Sequence, residues 1–304
     1  VGSKYSFFYF FFAVLFLTSS CSAPHIVKVC SLPKVLNESS GLINDTPNHF
    51  WSHNDSGGEP TMYAFDDKGK LLRSVRILNA SNIDWEDAVM DNAGNLYVGD
   101  FGNNDQSRTK LTIYVIKNFE KNISDTVSAQ KIEFSYGDRA SFPHDVAHSF
   151  FDAEAMLVRS DSIYIFTKDF FSKPYTGSTR IYSVPNNPGS YAAHFVYSFK
   201  TDETSKWKGA ITSAAQTPDG KTVALLAYRT IWVFSDFKNN NFWEGRQKRF
   251  DLKLYQLAQR EGLCFSKSDN KTLFISSEKH KLIFGSIGGN LSKFKYDRTK
   301  TKVP

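Results

Sequence analysis

The sequence predicts an all-β protein: a β-propeller of five four-stranded blades, with six as the alternative count. Three observations carry this. The chain repeats, the repeats are punctuated by turn chemistry, and no segment reads as a long amphipathic helix. Five segments open alike: Ser40-Gly41-Leu42-Ile43, Glu86-Asp87-Ala88-Val89, Glu154-Ala155-Met156-Leu157, Ser213-Ala214-Ala215-Gln216 and Glu261-Gly262-Leu263-Cys264. Their first residues are spaced 46, 68, 59 and 48 apart. A Gly/Asn/Asp turn and two further β-branched or aromatic runs follow each opening.

In chain order, strand 26–32 precedes the first repeat and has no unit of its own. Second strands are expected at 49–53, 95–100, 162–167, 222–227 and 272–276. Third strands are expected at 62–65, 111–116, 179–184, 231–235 and 282–286. Fourth strands fall at 71–78, 130–136, 194–199 and 248–254, and the fifth unit lacks an equally clear one. Alternation is visible in Leu96-Tyr97-Val98 and Ile113-Tyr114-Val115. Asp91-Asn92-Ala93-Gly94 and Pro218-Asp219-Gly220 supply residues that tolerate positive φ or cap a turn. Segment 137–151 reads as a loop or short helix, although the long second spacing leaves room for a sixth unit. Strand 26–32 would complete the last blade, close the ring and remove an exposed edge. Cys30 then lies on the outermost strand and Cys264 on the innermost. Three strand spacings of about 4.8 Å put them roughly 14 Å apart, beyond the ~7 Å a disulfide spans.

Composition bounds the partners. Of 304 residues, 37 are Lys or Arg and 31 Asp or Glu, a net charge of +6. So small a surplus, spread along the chain, excludes a nucleic-acid footprint. Three cysteines exclude a disulfide scaffold. At the N-terminus, Lys4 precedes an apolar run at 7–17, and Thr18-Ser19-Ser20 lead to Cys21. That run suits a signal peptide and is too short to span a bilayer. The small residues before Cys21 resemble the lipobox of bacterial lipoproteins, a resemblance that implies diacylglycerol on the Cys21 sulfur. The alternative is an ordinary signal peptide cut near Ala23. The expected organisation is a signal peptide at 1–20 and one propeller domain at 21–304, with a short linker at 21–25 and a basic tail at 293–304. The expected place is the bacterial cell envelope, anchored by lipid at the outer membrane or periplasmic face.

The same geometry locates the candidate site. In an up-and-down blade the start of the first strand and the end of the second share one face, and first strands line the axis. Glu86, Glu154 and Glu261 therefore converge on one mouth, with Ser40 and Ser213 at the equivalent positions. Second-strand ends add His53-Asn54-Asp55, Asp100, Lys168-Asp169, Tyr228-Arg229 and Glu278. Asp84 and Asp152 precede two of the glutamates. The candidate mouth set is Glu86, Glu154, Glu261, Asp100, Asp55, His53, Lys168 and Arg229. Clustered oxygens suit a hard cation such as calcium, held by Glu86, Glu154 and Glu261; paired carboxylates also suit acid/base work. The competing reading is structural, with each glutamate accepting backbone N–H groups of the next blade or pairing with Lys168 and Arg229. His144 and His148 lie four apart, a zinc-compatible spacing without the Glu of a His-Glu-x-x-His motif. Asp100-Phe101-Gly102 reads as a strand-end turn, since no other kinase motif accompanies it. The strand aromatics read as blade packing, with Trp85 beside the channel as the exception.

Several stretches carry a family resemblance: FWSHNDSGG (50–58), IDWEDA (83–88), NLYVGDFGNN (95–104), DAEAML (152–157) and TRIYSV (179–184). Together they resemble a family of bacterial envelope β-propeller lipoproteins, largely without assigned activity. The Ser-Gly-Leu and Glu-Gly-Leu openings are more loosely similar to SdiA-regulated proteins, esterase-like phytases and calcium-dependent propeller lactonases and esterases. That second resemblance implies a metal held by Glu, Asn and Asp in the channel. This chain supplies Glu86, Glu154 and Glu261, and no Asn or Asp ligand is matched position by position. The expected function is a lipid-anchored propeller that binds a small molecule or protein partner at one channel face. The alternatives are a calcium-dependent hydrolase of phosphoesters or lactones and a scaffold without a small-molecule site.

Overall fold

The computed structural model describes residues 26–141, 150–202, 204–252, 258–282 and 285–296. The signal peptide expected at 1–20, Cys21, the pair His144 and His148, and the end of the basic tail lie outside the described residues.

Strand β1 (Ile26–Ser31) comes first. The first unit is β2 (Ser39–Thr46), β3 (His49–Asn54), β4 (Thr61–Asp66) and β5 (Leu71–Ile77). The second is β6 (Trp85–Met90), β7 (Leu96–Asp100), β8 (Leu111–Ile116) and, after the two-residue β9 (Thr126–Val127), β10 (Gln130–Tyr136). The third is β11 (Ala153–Arg159), β12 (Ser162–Thr167), β13 (Ser178–Pro185) and β14 (Gly189–Lys200). One helical turn, α1 (Lys206–Gly209), leads into β15 (Ile211–Gln216), β16 (Thr222–Ala227), β17 (Thr230–Ser235) and β18 (Arg246–Asp251). The last stretch holds β19 (Arg260–Phe265), β20 (Thr272–Ser277), a hairpin of β21 (Lys279–Leu282) and β22 (Gly285–Gly288), and β23 (Asn290–Lys295). Within the first four units, strands adjacent in sequence are antiparallel neighbours, β8 and β10 included.

The first strands touch in cyclic order, β2 to β6 to β11 to β15 to β19 and back to β2. Each interface between neighbouring sheets carries its own apolar cluster. Trp51, Met62 and Trp85 pack between the first and second sheets, and Tyr97, Met156 and Tyr182 between the second and third. Leu157, Phe199 and Trp232 fill the next gap, and Leu226, Leu263 and Phe294 the one after. Leu42, Phe50, Cys264 and Leu291 close the circle between last and first. The aromatics thus serve mainly as inter-sheet packing, where their large area is removed from water. This is a β-propeller. Beyond the strands of the second unit, the described residues between β6 and β11 add β9, which pairs parallel with β5, and short turns.

The closure is made by the N-terminal strand: β1 pairs antiparallel with β23, giving the order β1-β23-β20-β19. Cys30 and Cys264 are free and sit on the outermost and innermost strands of that sheet. One expectation is corrected. The apolar run at 282–286 is not the third strand of the last unit; β23 is, pairing with β20. Strands β21 and β22 instead pair with each other in a separate two-stranded sheet, with Gly285 and Gly288 at φ of 126° and 73°.

Candidate functional site

A bulge recurs near the start of each first strand, and it decides which side chains meet. The register skips Glu86 between Trp85 and Asp87, Glu154 between Ala153 and Ala155, Thr212 between Ile211 and Ser213, and Glu261 between Arg260 and Gly262. In β2 the register shifts between Ser40 and Ile43, with Gly41 at φ 65°, the left-handed geometry of a glycine bulge. An unpaired bulge residue is re-aimed away from the sheet's regular faces. The position shared with the glutamates is therefore filled by Gly41 and Thr212 rather than by Ser40 and Ser213. A Cβ at Gly41 would lie 2.6 Å from the Ala88 nitrogen and 2.8 Å from His53 Nε2, so glycine is required there.

The three bulged glutamates join four aspartates and glutamates in one continuous chain of carboxylates. Three overlapping groups each bring ligand oxygens within 4.8 Å of one another: Asp55–Glu261–Glu278, Asp55–Asp84–Glu86 and Glu86–Asp152–Glu154. Asp55 joins the first two groups and Glu86 the last two. Glu86, Asp152, Glu154, Glu261 and Glu278 are buried, while Asp55 and Asp84 are half-buried and reach solvent. The expected ligand trio is therefore not one set: Glu86 and Glu154 share a group, and Glu261 belongs to another. Two unit charges 4.8 Å apart repel by about 3.5 kcal/mol at an effective dielectric near 20. A buried chain of this kind must take up protons or a cation.

Lys168 supplies one positive charge. Lys168 Nζ pairs with Glu154 Oε1 and lies 3.9 Å from Asp152 Oδ2. Burial opposes the ammonium charge, but the Glu154 carboxylate and its neighbours outweigh it and hold the Lys168 pKa well above the ordinary range. Burial also pushes the carboxyls up. Asp55 rises to about 7 and Asp84 to about 6, each helped by adjacent carboxylates. Glu278 rises to about 10, through burial and then Glu261, and lies 3.3 Å from His280 Nε2. Glu86 and Glu154 are raised well above the usual range, again by burial first. The Gln259 amide donates to both Glu261 Oε1 and Glu278 Oε2, at 3.2 and 3.1 Å. Glu261 Oε2 is buried with no hydrogen-bond partner among the described residues.

The turn after β7 builds much of this arrangement. Asp100 is held by Arg108 at 2.9 Å and accepts the Asp84 amide at 3.1 Å, so it positions Asp84 from outside the three groups. Gly102 presents its α-carbon to the Asp84 and Glu86 carboxylates, and any side chain there would collide with both. The Asn103 amide donates to Asp152 Oδ1 at 2.8 Å. Sequence reading placed Asp84, Asp152 and Glu278 near the mouth. It gave no sign that Gly102 packs against them, because that approach depends on the neighbouring strand.

The remaining expected residues divide. Asp55 and Lys168 are central. His53 is buried, and its Nδ1 lies 3.0 Å from the Asn54 carbonyl, which fixes that nitrogen as the donor. Burial lowers its pKa to about 4, so the ring is neutral. Arg229 does not join the carboxylates by an ion pair among the described residues; its guanidinium lies 5.5 Å from the Trp207 ring centroid. Trp85 is fully buried, donates to the Ser81 carbonyl at 2.8 Å and meets His53 edge-on, so it is packing. A cavity of about 90 Å³ lies among the opposite ends of the first strands, lined by Leu42, Leu157 and Leu263 together with the polar Asn44, Gln216 and Lys267.

No family model and no curated protein matches the chain. Among solved structures it is similar to a catalytically inactive virginiamycin B lyase from Staphylococcus aureus, crystallised with quinupristin. That match has 12% identity, covers 88% of this chain and 69% of the other, and has a TM-score of 0.41. It is also similar to the Swd1 β-propeller domain of Myceliophteria thermophila, at 9% identity, 90% and 100% coverage and a TM-score of 0.44. A gluconolactonase from Xanthomonas campestris matches at 12% identity, 84% and 71% coverage and a TM-score of 0.45. These are likenesses of overall architecture.

Proposed function

We propose that the mouth of this propeller binds a hard divalent cation, with calcium as the best fit, and uses it to hold an oxygen-bearing ligand. The observation that carries the reading is the carboxylate chain itself, opposed by Lys168 at one end, with Glu261 Oε2 buried and without a hydrogen-bond partner among the described residues. All its ligand atoms are oxygens, which favours calcium, magnesium or manganese over zinc or copper. Calcium accepts six to eight such ligands in irregular geometry. Lys168 already occupies the Glu86–Asp152–Glu154 group, so the cation belongs with Asp55, Asp84 and Glu86, or with Asp55, Glu261 and Glu278. Asp55 is common to both and reaches solvent.

A bound cation would polarise a ligand carbonyl or phosphoryl oxygen. The protein's own residues supply the rest. Asp100 and Gly102 fix Asp84, Gln259 fixes Glu261 and Glu278, and Lys168 holds Glu154 in place. A second reading, hydrolysis of a phosphoester or lactone, draws on Asp55 and Asp84. Their pKa values near 7 and 6 suit a general base beside a partly ionised neighbour. In either reading the protein would be held at the cell envelope by lipid on Cys21. The supporting observation is the apolar run ending in Thr18-Ser19-Ser20-Cys21. Among the described residues no helix is long and apolar enough to cross a membrane.

Calorimetric titration of the purified protein with calcium tests the cation. Saturable binding is expected, weakened at least tenfold in Asp55→Asn and several-fold in Glu86→Gln, with thermal melts confirming that the variants fold. Absence of binding in the wild type, or equal affinity in Asp55→Asn, would overturn the assignment. Turnover on a phosphoester and lactone panel separates the hydrolase from the binding protein.

A further inference from the structure

An aromatic wall stands beside the carboxylates, and no blade interface accounts for its exposed part. Phe170 follows β12, Trp207 lies on α1 and Tyr228 follows β16. Phe170 meets Trp207 edge-on with centroids 5.2 Å apart and Tyr228 at 5.9 Å; Trp207 and Tyr228 are 5.3 Å apart. Phe171 extends the group, 5.2 Å from Phe170. The Tyr228 hydroxyl lies 3.4 Å from Glu261 Oε1, which joins the wall to the mouth.

Exposure separates this group from the packing aromatics Trp85 and Trp232. Trp85 and Trp232 are fully buried, whereas Phe171 is 41% and Trp207 37% exposed. Two cations also lie over the rings: Lys206 Nζ is 4.3 Å from the Phe170 centroid, and the Arg229 guanidinium is 5.5 Å from that of Trp207. Neither forms an ion pair with a carboxylate among the described residues. Exposed ring surface next to cations that form no ion pair among the described residues complements a ligand that is both flat and anionic.

We propose that this wall is a ligand subsite, and that the ligand of the mouth is a small oxyanion carrying an apolar ring, an aryl phosphate or aryl carboxylate in class. The ring lies against Trp207 and Phe170. The anionic group sits between Lys206, Arg229 and the cation of the carboxylate chain. This inference rests on the mouth being a ligand site, but its aromatic part is separable from the cation.

Phenylphosphonate and methylphosphonate, titrated calorimetrically in the presence of calcium, provide the test, because they share the anion and differ in the ring. Phenylphosphonate is expected to bind at least tenfold more tightly and to perturb tryptophan fluorescence. Trp207→Ala and Phe171→Ala should shrink that preference to about threefold or less, with calcium affinity unchanged. Lys206→Ala combined with Arg229→Ala should weaken both phosphonates. Equal affinity for the two probes overturns the subsite, as does an undiminished preference in folded Trp207→Ala, and either result leaves the calcium assignment standing. Phenylphosphonate binding that is lost in Trp207→Ala but indifferent to calcium upholds the wall and removes the cation from the ligand's contacts.

Discussion

Asp87 reaches from β6 to Met156 on β11, its Oδ2 accepting the Met156 amide at 2.9 Å. The same carboxyl accepts the Ala88 amide at 3.0 Å, the Ser213 hydroxyl at 3.4 Å and the Ala214 amide. One buried side chain thus ties three first strands together. Ser40 ties β2 to β6 through the Glu86 carbonyl at 2.5 Å, and Thr212 ties β15 to β19 through the Arg260 carbonyl at 2.7 Å. Ser40 and Asp87 beside the bulges, with the bulged Thr212, sew up the ring and leave the bulged glutamates to face one another. Asp87→Asn would turn an NH₂ group toward donors that need an acceptor. An unsatisfied buried donor costs about 1–3 kcal/mol. Urea unfolding should show a loss of about 2 kcal/mol or more, and a variant as stable as wild type would remove Asp87 from this role.

Gly102 offers a more local probe. A methyl group at this position would meet the Asp84 and Glu86 carboxylates. Those are the ends of side chains, so they can move aside while the backbone stays put. Gly102→Ala is therefore expected to weaken calcium binding at least tenfold and to lower stability by only about 1–2 kcal/mol. Unaltered calcium affinity would place the cation away from Asp84 and Glu86.

Burial gives the mouth a pH dependence with a definite sign. Asp55 and Asp84 have folded pKa values near 7 and 6, above the ordinary 3.8, with burial as the first cause. A raised carboxyl favours the folded state while it is protonated. That contribution is complete below about pH 4 and is lost as pH rises through 6 to 7. Without metal, thermal stability should fall between pH 5 and pH 8. A cation needs the ionised carboxylates, so calcium should stabilise more at pH 8 than at pH 5, with protons released on binding. Melting curves at the two values, with and without calcium, check both statements. Asp55→Asn should flatten the metal-free slope.

The propeller was legible because its repeats couple a turn signal to a first strand, and the convergence of Glu86, Glu154 and Glu261 followed from that topology. The grouping of those acids was not legible. Period-two alternation says nothing about a residue that faces no partner, so the bulges stayed hidden and Ser213 stood where Thr212 belongs. Asp84, Asp152 and Glu278 could be placed near the mouth, but their association depends on register between strands. The last unit misled because 282–286 is as apolar as a strand. Gly285, Gly288 and Gly289 at positive φ turn the chain out before β23. Arg229 looked like a counter-ion for the glutamates and instead lies over Trp207, an α1 residue that no strand pattern would reveal.

Lys168 decides how much of the carboxylate chain remains open to a cation. It is buried against Glu154, with Asp152 at 3.9 Å, and its own amide donates to the Asp152 carbonyl at 2.7 Å. Removing one partner of a buried ion pair costs about 3–5 kcal/mol, because the other charge is left unpaired. Lys168→Met should therefore be strongly destabilised in metal-free buffer. Lys168→Met with Glu154→Leu should recover much of that loss, since the stranded charge is gone. The single variant also vacates the Glu86–Asp152–Glu154 group. Calcium should then stabilise Lys168→Met more than wild type, and the calorimetric stoichiometry should rise from about one ion to about two, the second site using six- to eight-fold oxygen coordination as the first does. If Lys168→Met melts like the wild type and responds no more strongly to calcium, the ammonium is an incidental neighbour, and the cation must compete for all three groups alike.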